Sequence, residues 1–412
     1  VKEGSNSGDF TINLDYEAHI NLVYSLVSHD PSSDSDADMK DLDKTVTVGF
    51  EKLYDTAKFN TYYDNYSTDL GMVYETEIKD GKEIEKATFK VWSPVSANMT
   101  LLLYDTDTSK EYGGEDSYKG YHMNYTTGGI WSLVIENDDP TISLKGKYYN
   151  YQVDNTLGTN VVMDPYATSA GCCGIRGYIY DKEDSNPEGW DDLPLKWDGV
   201  TGYDLETPQD LTIYEVHIQD FTGDESWVSN SNIKRGTYDA FVESGTKVSG
   251  TTLTSGYDHL NELGVSAVQL MPVFDQDNDE SSEELKYNWG YNPLNYNVVE
   301  GGYSSNAHDG LARVKEFKNL VLQMSKTDAH TRVIMDVVYN HVSSATGSNF
   351  HKLMPRYYFR YTADGELYDG SGCHNEVASE RPMMRKFIVD SLCMWAKEYK
   401  IKGFRFDLMR SE

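Results

Sequence analysis

The chain has 412 residues, with 36 Lys and Arg against 67 Asp and Glu, a formal charge of −31. Such a surface repels polyphosphate and anionic lipid, which argues against nucleic-acid or membrane-surface partners. No apolar run is long enough to span a bilayer, and a hydrophobic content of 39% with thirty-two tyrosines excludes a disordered chain. The length suits two or three domains.

Residues 1–50 contain short alternating runs, Phe10 to Leu14, Ile20 to Leu26 and Thr45 to Phe50, with an acidic Ser/Asp loop from His29 to Asp43. They read as a small N-terminal β region, and 51–83 as a Tyr- and Asp-rich connector. Residues 84–180 read as a β-sandwich: Thr88 to Trp92, Thr100 to Tyr104, Ile130 to Ile135 and Lys147 to Val153 are short strands separated by turn residues. Trp92 and Trp131 are expected in its core. A Gly-, Pro-, Trp- and Asp-rich linker, 181–210, follows.

From 211 to 412 the periodicity changes. Thr212 to Ile218, Val265 to Met271 and Arg332 to Val338 read as strands, and Tyr257 to Leu263 as a short helix stopped by Gly264. Leu311, Val314, Phe317, Leu320, Val321 and Met324 form one helical stripe. Met384, Phe387, Ile388, Leu392, Trp395 and Tyr399 form another, within a helix expected from Ser379 to Lys400. The alternation of Phe404, Phe406 and Leu408 with Gly403, Arg405 and Asp407 predicts a last strand. The fold class expected is multidomain β plus α/β, ending in the first four β/α units of a (β/α)8 barrel. A closed barrel needs four more strands, so the chain is expected to be a piece of a longer polypeptide or to work beside a complementary C-terminal one. Val1 is followed by no signal-like apolar core, which fits a processed or recombinant chain and leaves the compartment, secreted, cell-surface or cytoplasmic, open.

In a β/α barrel the reactive groups lie at the carboxyl ends of the strands. Three stretches fall there: Asp336 to His341, Arg405 to Asp407, and the loop Tyr287-Asn288-Trp289-Gly290-Tyr291-Asn292-Pro293. Taken alone, Arg405 and Asp407 read as a structural pair. Together the three supply carboxylates, an imidazole, a guanidinium and aromatic faces, which suits glycoside hydrolysis. No phosphate-binding loop opens a helix and no Gly-x-Ser-x-Gly elbow is present. The four cysteines lack metal-ligand spacing; adjacent Cys172 and Cys173 rarely bridge, and all four read as structural thiols.

Asp336 to His341 resembles the first signature of the α-amylase family, glycoside hydrolase family 13, and Gly403 to Asp407 resembles its second. Tyr287 to Pro293 is similar to the Tyr-Asn-Trp-Gly-Tyr-x-Pro signature of its debranching branch, the type I pullulanases, with Asn292 where many relatives carry Asp. Tyr214 to His217, Val268 to Asp275, Gly370 to Cys373 and Ala378 to Pro382 resemble the same group. Phe89 to Pro94 and Asp164 to Tyr166 are similar to carbohydrate-binding module family 48.

The resemblance implies Asp407 as nucleophile, assisted by Arg405. His341 would bind hydroxyls of the sugar at subsite −1, Tyr291 would stack on it, and Asp336 would support the network. Tyr287, Asn288 and Trp289 complete the implied substrate-binding stretch, Trp289 reading as a core or platform-supporting residue rather than a direct sugar contact. The general acid would lie beyond Glu412, outside this chain, which alone is expected to be inactive. Asn340 resembles a calcium ligand, though a loop-capping role serves equally; calcium is possible and no cofactor is required. The implied partner is a branched α-glucan: pullulan, amylopectin, glycogen or a limit dextrin. An isoamylase- or branching-enzyme-like relative and a non-catalytic α-glucan-binding protein are the competing readings.

Overall fold

The structure, a computed structural model, describes residues 19–27, 45–139, 141–197, 199–200, 204–205, 207–282 and 286–408. The Phe10 to Leu14 run and the acidic loop lie outside them. The other two N-terminal runs do pair, Ser25–Val27 lying antiparallel to Thr45–Thr47.

The sandwich starts earlier than its sequence suggests. Strand Gly71–Lys79 pairs antiparallel with Lys82–Trp92 through a tight turn in which Asp80 and Gly81 both have positive φ, the conformation that suits the twist of a two-residue hairpin. The stretch expected as a connector therefore contributes an outer strand. No clean alternation marks it because its outer half, Glu75 to Lys79, is exposed on both faces. One sheet runs Gly71–Lys79, Lys82–Trp92, Ile130–Asn137, Asn124–Thr126. The other runs Gly158–Val162, Tyr148–Asn155, Asn98–Tyr104, Tyr118–His122, with Gly177–Tyr178 added beside Tyr148–Asn155. Phe89, Val91, Leu101, Trp131, Tyr149, Tyr151 and Val153 fill the space between them.

Trp131 lies in that core as expected, its indole N–H donating to the Ser93 carbonyl at 3.0 Å. Trp92 does not. One position past Val91, it points to the opposite face of the strand and is buried against Tyr357 and Tyr358, with ring centroids 4.9 and 6.2 Å away. It thus seals the sandwich onto the C-terminal part of the chain.

That part is built on a parallel sheet in chain order: Ile213–Val216, Ala267–Leu270, Arg332–Val337, Gly403–Phe406. Helix Gly256–Leu263 ends at Gly264, whose φ of 65° is the left-handed C-terminal stop that glycine adopts without a Cβ penalty. Helix Gly310–Ser325 is capped by Asp309 and buries Val314, Phe317, Leu320, Val321 and Met324. Helix Pro382–Glu398 starts with proline at its first turn, where no N–H is needed. It buries Met384, Phe387 and Trp395 against the sheet, while Ile388 and Leu392 lie at the edge of the same core. The linker packs beneath: Trp190, Leu193 and Trp197 are buried. The ammonium of Lys400 donates to the Leu193 carbonyl at 2.7 Å and that of Lys402 to the Leu195 carbonyl at 2.7 Å. Among the described residues no helix is long and apolar enough to cross a membrane.

Candidate active site

Parallel register brings the chemistry together. Asp336 on the third barrel strand sits opposite Arg405 on the fourth, and Val337 opposite Phe406. The Asp407 N–H then donates to the Val337 carbonyl at 3.0 Å, which holds the residue at the carboxyl end of the sheet. Arg405 Nη1 lies 3.0 Å from both oxygens of Asp336 and 2.7 Å from Asp407 Oδ1. One guanidinium nitrogen thereby bridges two carboxylates of unequal exposure. The Asp336 side chain is wholly buried, that of Asp407 is 15% exposed, and that of Arg405 is 43% exposed.

Burial pushes the Asp336 carboxyl above its ordinary range, against the hydrogen bonds from Tyr291 and Arg405 that favour its charged form. The two carboxylates in turn hold the Arg405 guanidinium above its ordinary value, hydrogen bonding to Asp336 being the main cause.

The loop after the second barrel strand delivers the other side. Phe274–Gln276 pairs antiparallel with Pro293–Val299, and the signature loop bulges between them. Gly290 has a φ of 92°, and a Cβ there would stand 2.8 Å from the Pro272 carbonyl oxygen, so only glycine fits the bend. The bend carries Tyr291 inward. Its hydroxyl donates to Asp336 Oδ2 at 2.7 Å, and its carbonyl oxygen lies 2.7 Å from His341 Nε2. Tyr287 and Trp289 turn outward, 57% and 59% exposed. Trp289 is therefore no core residue: it stands on the outer side of the bend while Gly290 is buried against Pro272. Asn288 caps the loop, its Oδ1 accepting from the Gly290 N–H at 3.0 Å and its Nδ2 donating to Asn278 Oδ1 at 3.1 Å.

His341 is buried, and its carbonyl accepts from the Tyr296 hydroxyl at 2.6 Å. Burial holds its imidazole below the ordinary value, while the Tyr291 carbonyl and the Asp407 charge act in the opposite sense. The Asn340 amide lies 3.0 Å from His341 Nδ1. A neutral ring with Nε2–H on the Tyr291 carbonyl needs a donor at Nδ1, and Asn340 Nδ2, otherwise buried and unpartnered, is that donor once the amide is turned over.

Through this contact Asn340 orients the His341 ring. Among the described residues the group of three acidic side chains close enough to hold an ion is Asp275, Glu280 and Glu300, elsewhere in the chain. Arg313 already stands there, 3.0 Å from Glu280 and 3.7 Å from Asp275.

Two further residues hold the loops around the site, His217 from the Tyr214 to His217 stretch and Asn375, which the sequence did not single out. His217 Nε2 lies 2.9 Å from both the Asn288 carbonyl and the Tyr303 hydroxyl, pinning the signature loop from the first barrel strand. Asn375 accepts from the Val342 N–H and donates to the Val342 carbonyl, clamping the turn after His341. The cleft beside Asp407, about 490 Å³, is lined by Tyr339, Asn340, Arg360, Glu376 and Phe406.

Residues 69–167 match the carbohydrate-binding module 48 (isoamylase N-terminal domain) model, and residues 237–362 match the alpha amylase catalytic domain model. The fold and site thus define a β-domain of the carbohydrate-binding module 48 type followed by strands of an α-amylase-family barrel. Within that family the chain is pullulanase-like. It is 33% identical over 357 residues to the pullulanase of Bacillus subtilis (strain 168), covering 86% of this chain and 44% of the relative. It is 31% identical over 310 residues to the chloroplastic isoamylase 3 of Oryza sativa subsp. japonica, covering 68% and 37%. The crystal structure of the Paenibacillus barengoltzii pullulanase in complex with maltohexaose and alpha-cyclodextrin superposes with a TM-score of 0.75 at 38% identity, covering 86% of this chain and 51% of that one. The chain therefore spans about half the length of the relatives it matches.

Proposed function

We propose that the site serves hydrolysis of α-1,6-glucosidic branch linkages in pullulan, amylopectin, glycogen or limit dextrins, with retention at the anomeric carbon. The observation that supports it most is the Arg405 bridge: a sealed carboxylate behind, a partly exposed one in front. In this mechanism an Asp407 oxygen attacks C1 of the glucosyl unit at subsite −1 and the bond from C1 to the O6 of the branched chain breaks. That oxygen takes a proton from a carboxylic acid, and water, deprotonated by the same group, then displaces Asp407. Arg405 fixes the attacking carboxylate by a charge-assisted hydrogen bond. Asp336 positions Arg405 and Tyr291, Tyr291 and His341 bind the sugar at −1, and Tyr287, Asn288 and Trp289 extend the surface toward the rest of the glucan.

Asp336 is committed to Arg405 and Tyr291; the resemblance to the α-amylase family implies a proton donor on a barrel strand C-terminal to these four, supplied in this reading by a complementary C-terminal polypeptide. Without it the leaving oxygen departs unprotonated, a loss of about 10²–10⁴-fold from this cause alone. No step uses calcium. The chain by itself is expected to release no maltotriose from pullulan, and the reassembled enzyme to release it. A fluorinated glucosyl donor should then label Asp407, and Asp407→Asn should abolish both labelling and turnover. A label on any other side chain would sink the assignment. The isoamylase likeness favours a second reading, an enzyme preferring glycogen branches; equal or faster turnover of glycogen than of pullulan selects it.

A further inference from the structure

Cys172 and Cys173 take no part in the site above, yet their placement is unlike that of inert core thiols. Their sulfurs lie 3.6 Å apart, Cys172 fully buried and Cys173 half-buried. Cys173 has a φ of 60°, left-handed backbone that a residue with a Cβ adopts only when its surroundings impose it. The surroundings are visible. The Cys173 N–H donates to Glu280 Oε2 at 2.6 Å. Gly174 follows with a φ of 61°, packed so tightly that a Cβ would stand 2.1 Å from Asp275 Oδ2. The strained turn therefore fixes two thiols side by side, one of them open to solvent.

We propose that Cys172 and Cys173 form a redox-modification site, which a low-molecular-weight disulfide such as oxidised glutathione converts to a vicinal disulfide. The Cys173 thiolate attacks one sulfur of the oxidant, forming a mixed disulfide and expelling one thiolate. The Cys172 thiol then loses its proton, its sulfur attacks Cys173 Sγ, and the second thiolate leaves. In sum two protein thiols are oxidised to one disulfide and one small disulfide is reduced to two thiols. The pair is polarised for this order of events. Cys173, only half-buried, is the sulfur an oxidant in solution can reach, whereas Cys172 is fully buried and 3.6 Å behind it. The ring closes across a trans peptide, whose Cα atoms stand about 3.8 Å apart, shorter than the span of about 4.4–6.8 Å that ordinary disulfides prefer. The bond is accordingly strained, readily reduced and reversible.

The test is incubation of the whole chain in glutathione buffers of graded redox ratio, followed by thiol counting, intact mass and peptide mapping. The expected result is loss of two of the four thiols, a mass lower by two hydrogens, and an internal cross-link in the peptide holding Cys172 and Cys173, all reversed by reduced glutathione. Cys172→Ser should instead trap a stable glutathione adduct on Cys173, and Cys393→Ser should leave the wild-type result unchanged. Four thiols surviving fully oxidised glutathione, a wild-type adduct that never resolves, or a cross-link elsewhere would each overturn the proposal. The wild-type mapping decides even where a variant fails to fold.

Discussion

Arg405 is held by two acidic partners, and the cost of losing it differs from the cost of losing either one. Arg405→Met leaves Asp336 buried beside no cation. Removing one partner of a fully buried pair costs about 3–5 kcal/mol; with the guanidinium 43% exposed the expectation falls to about 2 kcal/mol. Asp336→Asn keeps the shape and removes a buried charge, so it should cost less. Urea unfolding of both variants checks the order, and equal losses would count against the bridge as described. Asp164 offers a second test. It lies fully buried, accepting from the Tyr149 and Tyr151 hydroxyls at 3.0 Å each, and burial raises it to about 6. A carboxyl raised in the folded state binds more protons there than when unfolded, so it stabilises at acid pH, and that contribution is lost as pH climbs through about 6. Asp164→Asn should therefore gain on wild type by about 2 kcal/mol between pH 4 and pH 8, read from urea midpoints across that range; a constant difference would refute it. The Asp336, Arg405 and Asp407 trio was legible from its signatures. The Tyr149–Asp164–Tyr151 contact was not, because it depends on which faces of neighbouring strands meet.

Elements were legible where one periodicity ran undisturbed. The helices Gly310–Ser325 and Pro382–Glu398 each show one apolar stripe, and each lies where its stripe puts it. Gly71–Lys79 was missed because an outer strand with a wet face need not alternate cleanly, and Trp92 because the sequence does not say which face of a strand a second domain will cover. The signature loop is the element whose shape is most tightly set. Gly290→Ala adds both a left-handed backbone penalty and a collision with the Pro272 carbonyl, and should cost about 2 kcal/mol. The same change should loosen the Tyr291 hydroxyl from Asp336, seen as faster hydrogen exchange across 287–292. Unchanged exchange together with unchanged stability would mean the bend is not imposed by glycine.

At the scale of the molecule, sandwich and barrel share one apolar body through Trp92, Tyr54, Phe59 and Tyr357. Trp92→Ala should cost about 3–5 kcal/mol and split a single calorimetric transition into two, as the sandwich melts apart from the sheet it covers. One transition persisting in the variant would show that other contacts carry the coupling. The parallel sheet itself has a feature with further reach. Among the described residues its first and fourth strands have one neighbour each, and Phe406, next to Asp407, is exposed there. Water along that margin screens the positive charge on which both carboxylates depend. Whatever lies down against the margin drives that water off and deepens the local field, so the strength of the Arg405 bridge is governed from outside its own contacts.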